Sequence, residues 1–87
     1  MELKDTVKLM LSDDWRERLL GEYYQVAIRC HKLATFIRKV AHGEKKPKSD
    51  RELSHLKKQQ VAMYNYIIAL EHRMKNARIE FIPFEVE

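Results

Sequence analysis

The stretch QQVAMYNYIIALEHRM, residues 59–74, has a helical rhythm but carries apolar or aromatic side chains around most of its circumference. A chain of 87 residues offers little other material to surround such a helix, because small folds bury only a modest fraction of their surface. What this helix faces therefore decides both the fold and the way in which the protein works.

One stripe of this helix belongs to a longer seam within residues 50–78. Its members follow alternating steps of three and four residues, which is typical of a helix that packs along a second helix. Gln60 is the polar exception in the seam, and we expect it to fix the register of the two helices. The members are Leu53, Leu56, Gln60, Met63, Ile67, Leu70, Met74 and Ala77.

A matching seam runs through residues 14–42, and the polar link HGEKKPKSD separates the two. Gly43 suits the left-handed position just beyond a helix C-terminus, and Ser49 with Glu52 forms a capping box that opens the next helix. A short link of this kind predicts an antiparallel helical hairpin. The members of the first seam are Leu19, Tyr23, Val26, Cys30, Leu33, Ile37 and Val40.

The two ends of the chain predict smaller elements. Leu3, Val7, Met10 and Leu11 give the N-terminal segment one apolar face, so we expect a short helix there. The C-terminal segment IEFIPFEVE is rich in β-branched and aromatic residues and contains a proline, which indicates an extended arm or an edge strand. The sequence thus predicts a single all-α domain, residues 1–87, with a short helix at 1–11, long helices at 14–42 and 50–78, and an arm at 79–87.

Apolar residues outside both seams are left without a partner in a two-helix packing. The N-terminal helix is too short to cover both sets along helices of about 40 Å, and large exposed apolar patches usually mark an interface. We therefore predict a homo-oligomer; the alternative is a monomer whose N-terminal helix and C-terminal arm pack across the hairpin. The residues are Tyr24, Ile28 and Phe36 on the first helix, and Val61, Tyr64, Ile68 and Ala69 on the second, with Tyr66 at the seam's edge.

Composition and charge limit the class of protein. The formal charge is +4 and the pI about 9.3, a mild preference for anionic partners. A single cysteine excludes an internal disulfide, and it fits either a reducing compartment or simple indifference to oxidation. No apolar run reaches the roughly 18 residues of a membrane span, and MELKDTVKLML is too polar for a signal peptide. These features predict a cytosolic protein.

Motifs for catalysis, metal binding or cofactor binding are missing from the sequence. Cys30 lies on the seam, so we expect a buried and inert thiol. None of the four histidines is paired at i, i+4, and neither HExxH nor CxxC occurs. There is also no glycine-rich phosphate loop. We therefore expect no enzyme activity, no metal and no cofactor.

Basic residues are the most suggestive chemical feature. Residues 38–58 hold eight lysines and arginines against three acids, a local balance of +5, and the N-terminus of the second long helix also favours anions. A solvated lysine-rich loop explains this charge equally well. A second group, Arg29 and Lys32 near Tyr24 and Ile28, combines cations with an aromatic ring as a nucleotide site does, although oligomer packing explains the tyrosine as well.

Two segments of the chain together resemble a known group of proteins. They are WRERLLGEYYQVAIRCHKLATFIRKV, residues 15–40, and LKKQQVAMYNYIIALEHRM, residues 56–74. They resemble small helical-hairpin proteins of bacteriophages, and the nearest named group is the hairpin family of anti-CBASS and anti-Thoeris sponge proteins. Similar phage hairpins carry leucine–glutamine–x–alanine–methionine–x–x–tyrosine in the second helix, where this chain reads KQQVAMYNY from Lys58 to Tyr66.

The resemblance, which covers residues 15–74, implies a phage product that acts in the bacterial cytoplasm. Proteins of that family assemble as compact oligomers, typically hexamers. They hold cyclic di- or trinucleotide immune signals between subunits without cleaving them, which blocks CBASS-type signalling. No short motif aligns well enough to carry binding residues over, so the residues that could bind a cyclic nucleotide are chosen by their chemistry. These are Trp15, Tyr23 and Tyr24 for stacking, and Arg29, Lys32, Lys57 and Lys58 for the phosphates.

The alternative function is a phage accessory protein that binds a host protein or nucleic acid through the basic end of the hairpin. Such an end could track phosphates without reading sequence. However, Glu17, Glu22 and Glu80 interrupt the positive charge along the chain, and no recognised nucleic-acid-binding module is visible.

Overall fold

A computed structural model describes residues 1–83. All regular secondary structure in this range is helical, which confirms the prediction of an all-α chain. A 3-10 turn, Leu3–Thr6, continues into the short helix α1, Val7–Met10, and two long helices follow, α2, Trp15–Ala41, and α3, Asp50–Asn76. Residues 84–87, the end of the predicted arm, lie outside the described residues.

Local side chains and backbone geometry fix the ends of α2. The Asp14 carboxylate accepts a hydrogen bond from the Arg16 N–H at its start. The Glu17 carboxylate accepts a hydrogen bond from the Ser12 hydroxyl at 2.6 Å. At the other end Gly43 has a φ of +75°, which is the left-handed conformation that the sequence predicts there.

The start of α3 depends on Ser49, whose hydroxyl accepts a hydrogen bond from the Glu52 N–H at 3.0 Å. This bond satisfies one of the backbone donors that every helix N-terminus leaves open. The link between α2 and α3 is therefore bounded by a local stop signal and a local start signal. The second long helix begins at the predicted residue, and the other ends of the two long helices differ from the predicted ones by one or two residues.

The first half of α2 lies beside the second half of α3. The Tyr23 hydroxyl donates to the Glu71 carboxylate at 3.1 Å, and the Tyr66 hydroxyl donates to the Glu22 carboxylate. At the opposite end, Val40 of α2 and Leu53 of α3 line the same small cavity. We refer to these two regions as the core end and the loop end.

The buried core occupies the core end. Its residues are Leu19, Tyr23, Val26, Ala27, Cys30, Ile67, Leu70 and Met74. The seam residues nearer the link, such as Ile37, Val40 and Leu53, are only half-buried. The seam pattern continues along both helices, but tight packing does not.

The N-terminal turn and α1 pack against α2 and make no contact with α3. The contact is close at Gly21, where an added Cβ would lie 2.9 Å from the Leu9 Cβ. The expected apolar face of this segment is partly wrong, because Val7 and Leu11 are exposed while Leu9 contacts α2.

Two expectations about uncovered surface on α2 are also corrected by the packing. Ile28, which the sequence left without a partner, is buried. Tyr24 and Phe36 are half-buried. On α3, by contrast, Val61, Ile68 and Ala69 remain exposed as expected, with Tyr66 exposed and Tyr64 half-buried beside the core.

The segment after α3 folds back over the core end. Arg78 adopts a φ of 57°, and the Ile79 N–H then donates to the Met74 carbonyl oxygen at 2.9 Å, which is the bond pattern of a left-handed helix cap. Phe81 packs edge-to-face on Tyr23 with 5.3 Å between ring centroids. Residues 79–83 form no strand, so the described part of the arm is an irregular layer over the core.

Candidate functional site

An open groove runs along the first turns of α3, and we call it the loop-end groove. Its volume is about 390 Å³. Its lining residues recur at steps of three and four, so they share one face of the helix. They are Asp50, Leu53, Ser54, Lys57, Lys58 and Val61.

A small apolar cavity adjoins the groove between the two long helices. Ile37, Val40 and Ala41 of α2 line it, together with Leu53 and Lys57. Its volume is about 130 Å³. Leu53 and Lys57 also line the loop-end groove, so the two spaces are adjacent and share these two side chains. The seam residues of the two helices therefore leave a cavity between them at this end and do not pack tightly.

The charge around the groove is positive. Lys57 and Lys58 are exposed and form no ion pair with any other residue in the range 1–83. The link and the neighbouring turns add further lysines and arginines, which gives the local balance of +5 over residues 38–58. Of the residues that line the groove, only Asp50 is acidic. An anion here would meet positive potential that the chain's own acids do not cancel.

Aliphatic walls beside free ammonium groups suit one kind of ligand. An apolar or flat portion can lie against Leu53 and Val61, while an anionic group is held by the lysines. Lysines act as mobile point charges and do not impose a bidentate geometry, so the groove selects for charge and shape more than for a particular pattern of hydrogen bonds.

Of the aromatic residues predicted to stack a base, Trp15 is half-exposed. The Arg16 guanidinium carbon lies 5.6 Å from the centroid of its ring. Trp15 begins α2. The groove lies beside the second half of α2, so more than ten residues of helix, or roughly 20 Å along the axis, separate it from Trp15, and Trp15 does not line the groove of its own chain.

The two predicted tyrosines lie at the core end. Tyr23 is fully buried, so its ring stabilises the core and offers no open face for a base. Tyr24 is half-buried; its hydroxyl donates to the Ile82 carbonyl oxygen at 3.0 Å and accepts from the Ile82 N–H at 3.3 Å. The segment after α3 thus occupies the polar edge of Tyr24.

The predicted cations are divided between two places. Arg29 and Lys32 are exposed in the middle of α2, and neither lines the loop-end groove, whereas Lys57 and Lys58 both do. Within a single chain, therefore, only two of the seven residues chosen from the sequence line the loop-end groove.

The sequence did not predict the aliphatic residues of the groove and of the adjoining cavity as part of a site. Leu53, Ile37 and Val40 were assigned to the seam, and Val61 to the uncovered surface. The signal was available in the spacing of Leu53, Lys57 and Val61 on one face of α3. Periodicity alone, however, does not show where along its length a seam stops being closed.

The remaining reactive side chains do not form a second centre. Burial raises the pKa of the Cys30 thiol, which lies in the core. In the described part of the chain, no three histidine, cysteine or acidic residues lie close enough to hold a metal ion together. None of the helices in that range combines the length and apolarity that a membrane crossing requires.

Comparison with known protein families matches the two long helices. The sequence profile of the family described as Sequestin matches residues 13–76. This range begins just before α2 and ends with α3, so it includes the loop-end groove and leaves out the N-terminal turn, α1 and the segment that folds back over the core. No curated protein and no solved structure matches the chain.

Proposed function

Because the chain belongs to the Sequestin family, we propose that it sequesters a small anionic ligand stoichiometrically and releases it unchanged. The observation that carries this proposal is the loop-end groove, where Lys57 and Lys58 lie beside the aliphatic wall of Leu53 and Val61. The family name fits a protein that acts by withholding a ligand. The groove itself supplies charge and apolar surface, the two properties that capture of such a ligand requires.

The proposed ligand is a cyclic di- or trinucleotide. Its bases would lie on the aliphatic wall and its phosphates would be held by the two lysines. The resemblance to phage sponge proteins supports this choice, and it gives the biological setting. The protein would be a phage immune-evasion factor in the cytoplasm of the host bacterium, where it lowers the free concentration of the signal and so blocks CBASS-type defence.

The proposal includes a hairpin that assembles as a homo-oligomer, with six copies in the form that the resemblance implies. Two observations support assembly. Val61 and Ile68 remain exposed on α3, and neither Trp15 nor Arg29 lines the groove that Lys57 and Lys58 line in one chain. Ligand sites between subunits would cover the exposed α3 residues and would bring candidate binding residues from two chains to one ligand.

Calorimetry with cyclic di-GMP, cyclic di-AMP and cyclic tri-AMP tests the proposal. We expect binding to at least one of them, and at least a tenfold loss of affinity in the variant Lys57→Ala/Lys58→Ala, since two charge-assisted contacts disappear. The matched control is Lys75→Ala, an exposed lysine of the same helix outside the groove. It should bind as the unchanged protein does.

Chromatography of the ligand recovered after denaturation distinguishes capture from cleavage. Recovery of the intact cyclic nucleotide supports sequestration. A linear product would refute it, and the absence of binding to every probe would remove the cyclic nucleotide as ligand.

A second candidate is an accessory protein that binds nucleic acid or a host protein through the loop end, and the local balance of +5 favours it. Binding of this kind to DNA or RNA should weaken steeply as salt concentration rises, because it releases counterions. Filter binding or fluorescence anisotropy at increasing salt tests this, and an absent or salt-insensitive signal contradicts the nucleic-acid form. Capture of a specific protein by the tagged chain from host lysate, lost in Lys57→Ala/Lys58→Ala, would favour the protein-partner form.

A further inference from the structure

The outer face of α3 carries an apolar stripe with no partner in the described part of the chain. Val61 is 61% exposed and Ile68 is 49% exposed, and because they lie seven residues apart they share one side of the helix. The N-terminal turn and α1 contact α2 only, so they do not cover it. We call these two residues the α3 stripe.

The charges beside the α3 stripe are unevenly distributed. Residues 59–70 contain no charged side chain. Lys57 and Lys58 precede this uncharged run, and the turn that follows it has Arg73 and Lys75 against Glu71. The stripe is therefore flanked by net positive charge on both sides, more strongly at the loop end. Its partner should be apolar in the centre and acidic at the rim.

The N-terminal part of the same chain has that composition. Leu11 is 79% exposed and Trp15 is 50% exposed, four residues apart where the chain enters α2. Asp5, Asp13 and Glu17 line the concave surface beside them together with one base, Lys8, so that surface has a net negative charge; the Arg16 guanidinium lies over the Trp15 ring. We call this region the N-terminal corner. It is a second exposed apolar patch, and acidic residues border it.

Neither patch is suited to contact the same patch of a second copy. Two α3 stripes facing each other would bring net positive ends together, and two N-terminal corners would place Asp13 and Glu17 opposite their own copies. Juxtaposed like charges disfavour association, whereas opposite rims around apolar centres favour and orient it. The matching arrangement is a corner against a stripe.

We propose that the N-terminal corner of one copy docks on the α3 stripe of the next, with Asp13 and Glu17 directed toward Lys57 and Lys58. The contact joins different surfaces, so its repetition gives a ring where the rotation between copies closes and an open filament where it does not; the proposed arrangement is the ring. Trp15 of the incoming copy then lies beside Val61, which also lines the loop-end groove, and it supplies the aromatic face that the groove lacks. The proposal rests on the proposed function in one respect, since it names the subunit contact that completes that site.

A charge-exchange experiment tests the docking. The first variant is Lys57→Glu/Lys58→Glu and the second is Asp13→Lys/Glu17→Lys. In the first, both contact surfaces are acidic; in the second, both are basic. Each variant alone should therefore associate at least tenfold more weakly than the unchanged chain, and an equimolar mixture should restore assembly, because every contact between the two variants pairs opposite charges. Sedimentation velocity and native mass spectrometry report the subunit number, and circular dichroism reports folding.

Some results would overturn the docking. If either variant alone assembles as the unchanged chain does, the contact does not join these two surfaces. If both variants are folded and their mixture stays monomeric, the charges do not pair. An unchanged chain that is monomeric at the concentrations used overturns it as well.

A second variant keeps the test independent of the charge changes. Leu11→Ser alters a side chain that is already mostly exposed, so folding should be unaffected while assembly weakens. Unchanged assembly of Leu11→Ser would contradict the docking. Calorimetry of the unchanged chain with the cyclic nucleotides separates this proposal from the function, because Lys57 and Lys58 also line the loop-end groove. Assembly restored by mixing the variants, with no nucleotide bound by the unchanged chain, leaves the docking intact and removes the ligand. Nucleotide binding by the unchanged chain, with failed exchange, does the reverse.

Discussion

The core end and the loop end of the two long helices are built from the same seam pattern but differ in packing. At the core end Tyr23, Leu70 and Met74 are completely or almost completely buried. At the loop end Leu53 and Val40 are half-buried and border a cavity of about 130 Å³. The comparison teaches that regular apolar spacing positions a helix pair without ensuring that it closes.

The difference has a physical cause in the additional layers. Phe81 and the residues around it fold back over Tyr23, and α1 packs on α2 at Gly21. Both layers lie at the core end. The loop end has no comparable cover in the described chain, so its apolar wall stays accessible. Stability is therefore concentrated at one end, and the candidate binding surface lies at the other.

The largest effect should come from truncating one seam residue at each end. Leu70→Ala removes a fully packed side chain and should lower the free energy of unfolding by about 3 kcal/mol. Leu53→Ala removes a half-buried side chain next to an existing cavity and should cost about 1 kcal/mol. Urea denaturation measures both values. Equal losses would contradict the contrast between the two ends.

A smaller effect is expected where α1 meets α2. Gly21→Ala would place a Cβ 2.9 Å from the Leu9 Cβ and 3.0 Å from the Met10 backbone nitrogen, so it should cost about 2 kcal/mol. In a helix interior without such a neighbour, the same change stabilises by about 1 kcal/mol. Thermal unfolding measures the sign of this stability change. A Gly21→Ala variant that is more stable than the unchanged protein would mean that α1 does not pack against α2 at Gly21.

The two left-handed cap residues allow a paired test of smaller size. Gly43 has a φ of +75° with open space around it, so Gly43→Ala should cost about 1 kcal/mol through backbone strain alone. Arg78 has a φ of 57°, so Arg78→Gly should stabilise by less than about 1 kcal/mol, since glycine also loses more chain entropy on folding. Chemical denaturation of the two variants checks both signs, and a destabilised Arg78→Gly would contradict the cap at the core end.

The smallest effect concerns pH. Burial raises the pKa of the Cys30 thiol above its ordinary value of 9.0. The unfolded chain releases this proton first, so the contribution of Cys30 to stability is constant below pH 9 and declines as pH rises beyond it. Unfolding measured at pH 8 and pH 10 should show a larger loss in the unchanged protein than in Cys30→Ala, which controls for the lysines and tyrosines. Equal losses would mean that the thiol is not buried at the core end.

The parts of the fold that the sequence predicts well are those set by neighbouring residues. The ends of α2 and α3 depend on Asp14, Gly43 and Ser49, whose bonds reach only a few positions along the chain. The placement of Tyr24 beside Ile82 depends on a segment far away in sequence. Helical spacing contains no information about such distant segments.

The candidate site divides in the same way. Lys57 and Lys58 could be chosen from the density of basic residues, because charge is visible in composition. Tyr23 was chosen with them, but the fold buries it. The aliphatic wall of the groove was not predicted, since Leu53 looks like any other seam residue until its partners across the helix pair are known.

By itself, the sequence determined two long helices, a short helix before them, a basic link and two apolar seams, because helix periodicity and capping are local. The tertiary structure decided which part of the seam closes, which tyrosine is buried, and that the N-terminal turn and α1 cover α2 and leave α3 uncovered. Those outcomes depend on how distant segments share a limited amount of apolar surface, and a chain of 87 residues has too little of it to cover both ends of the helix pair.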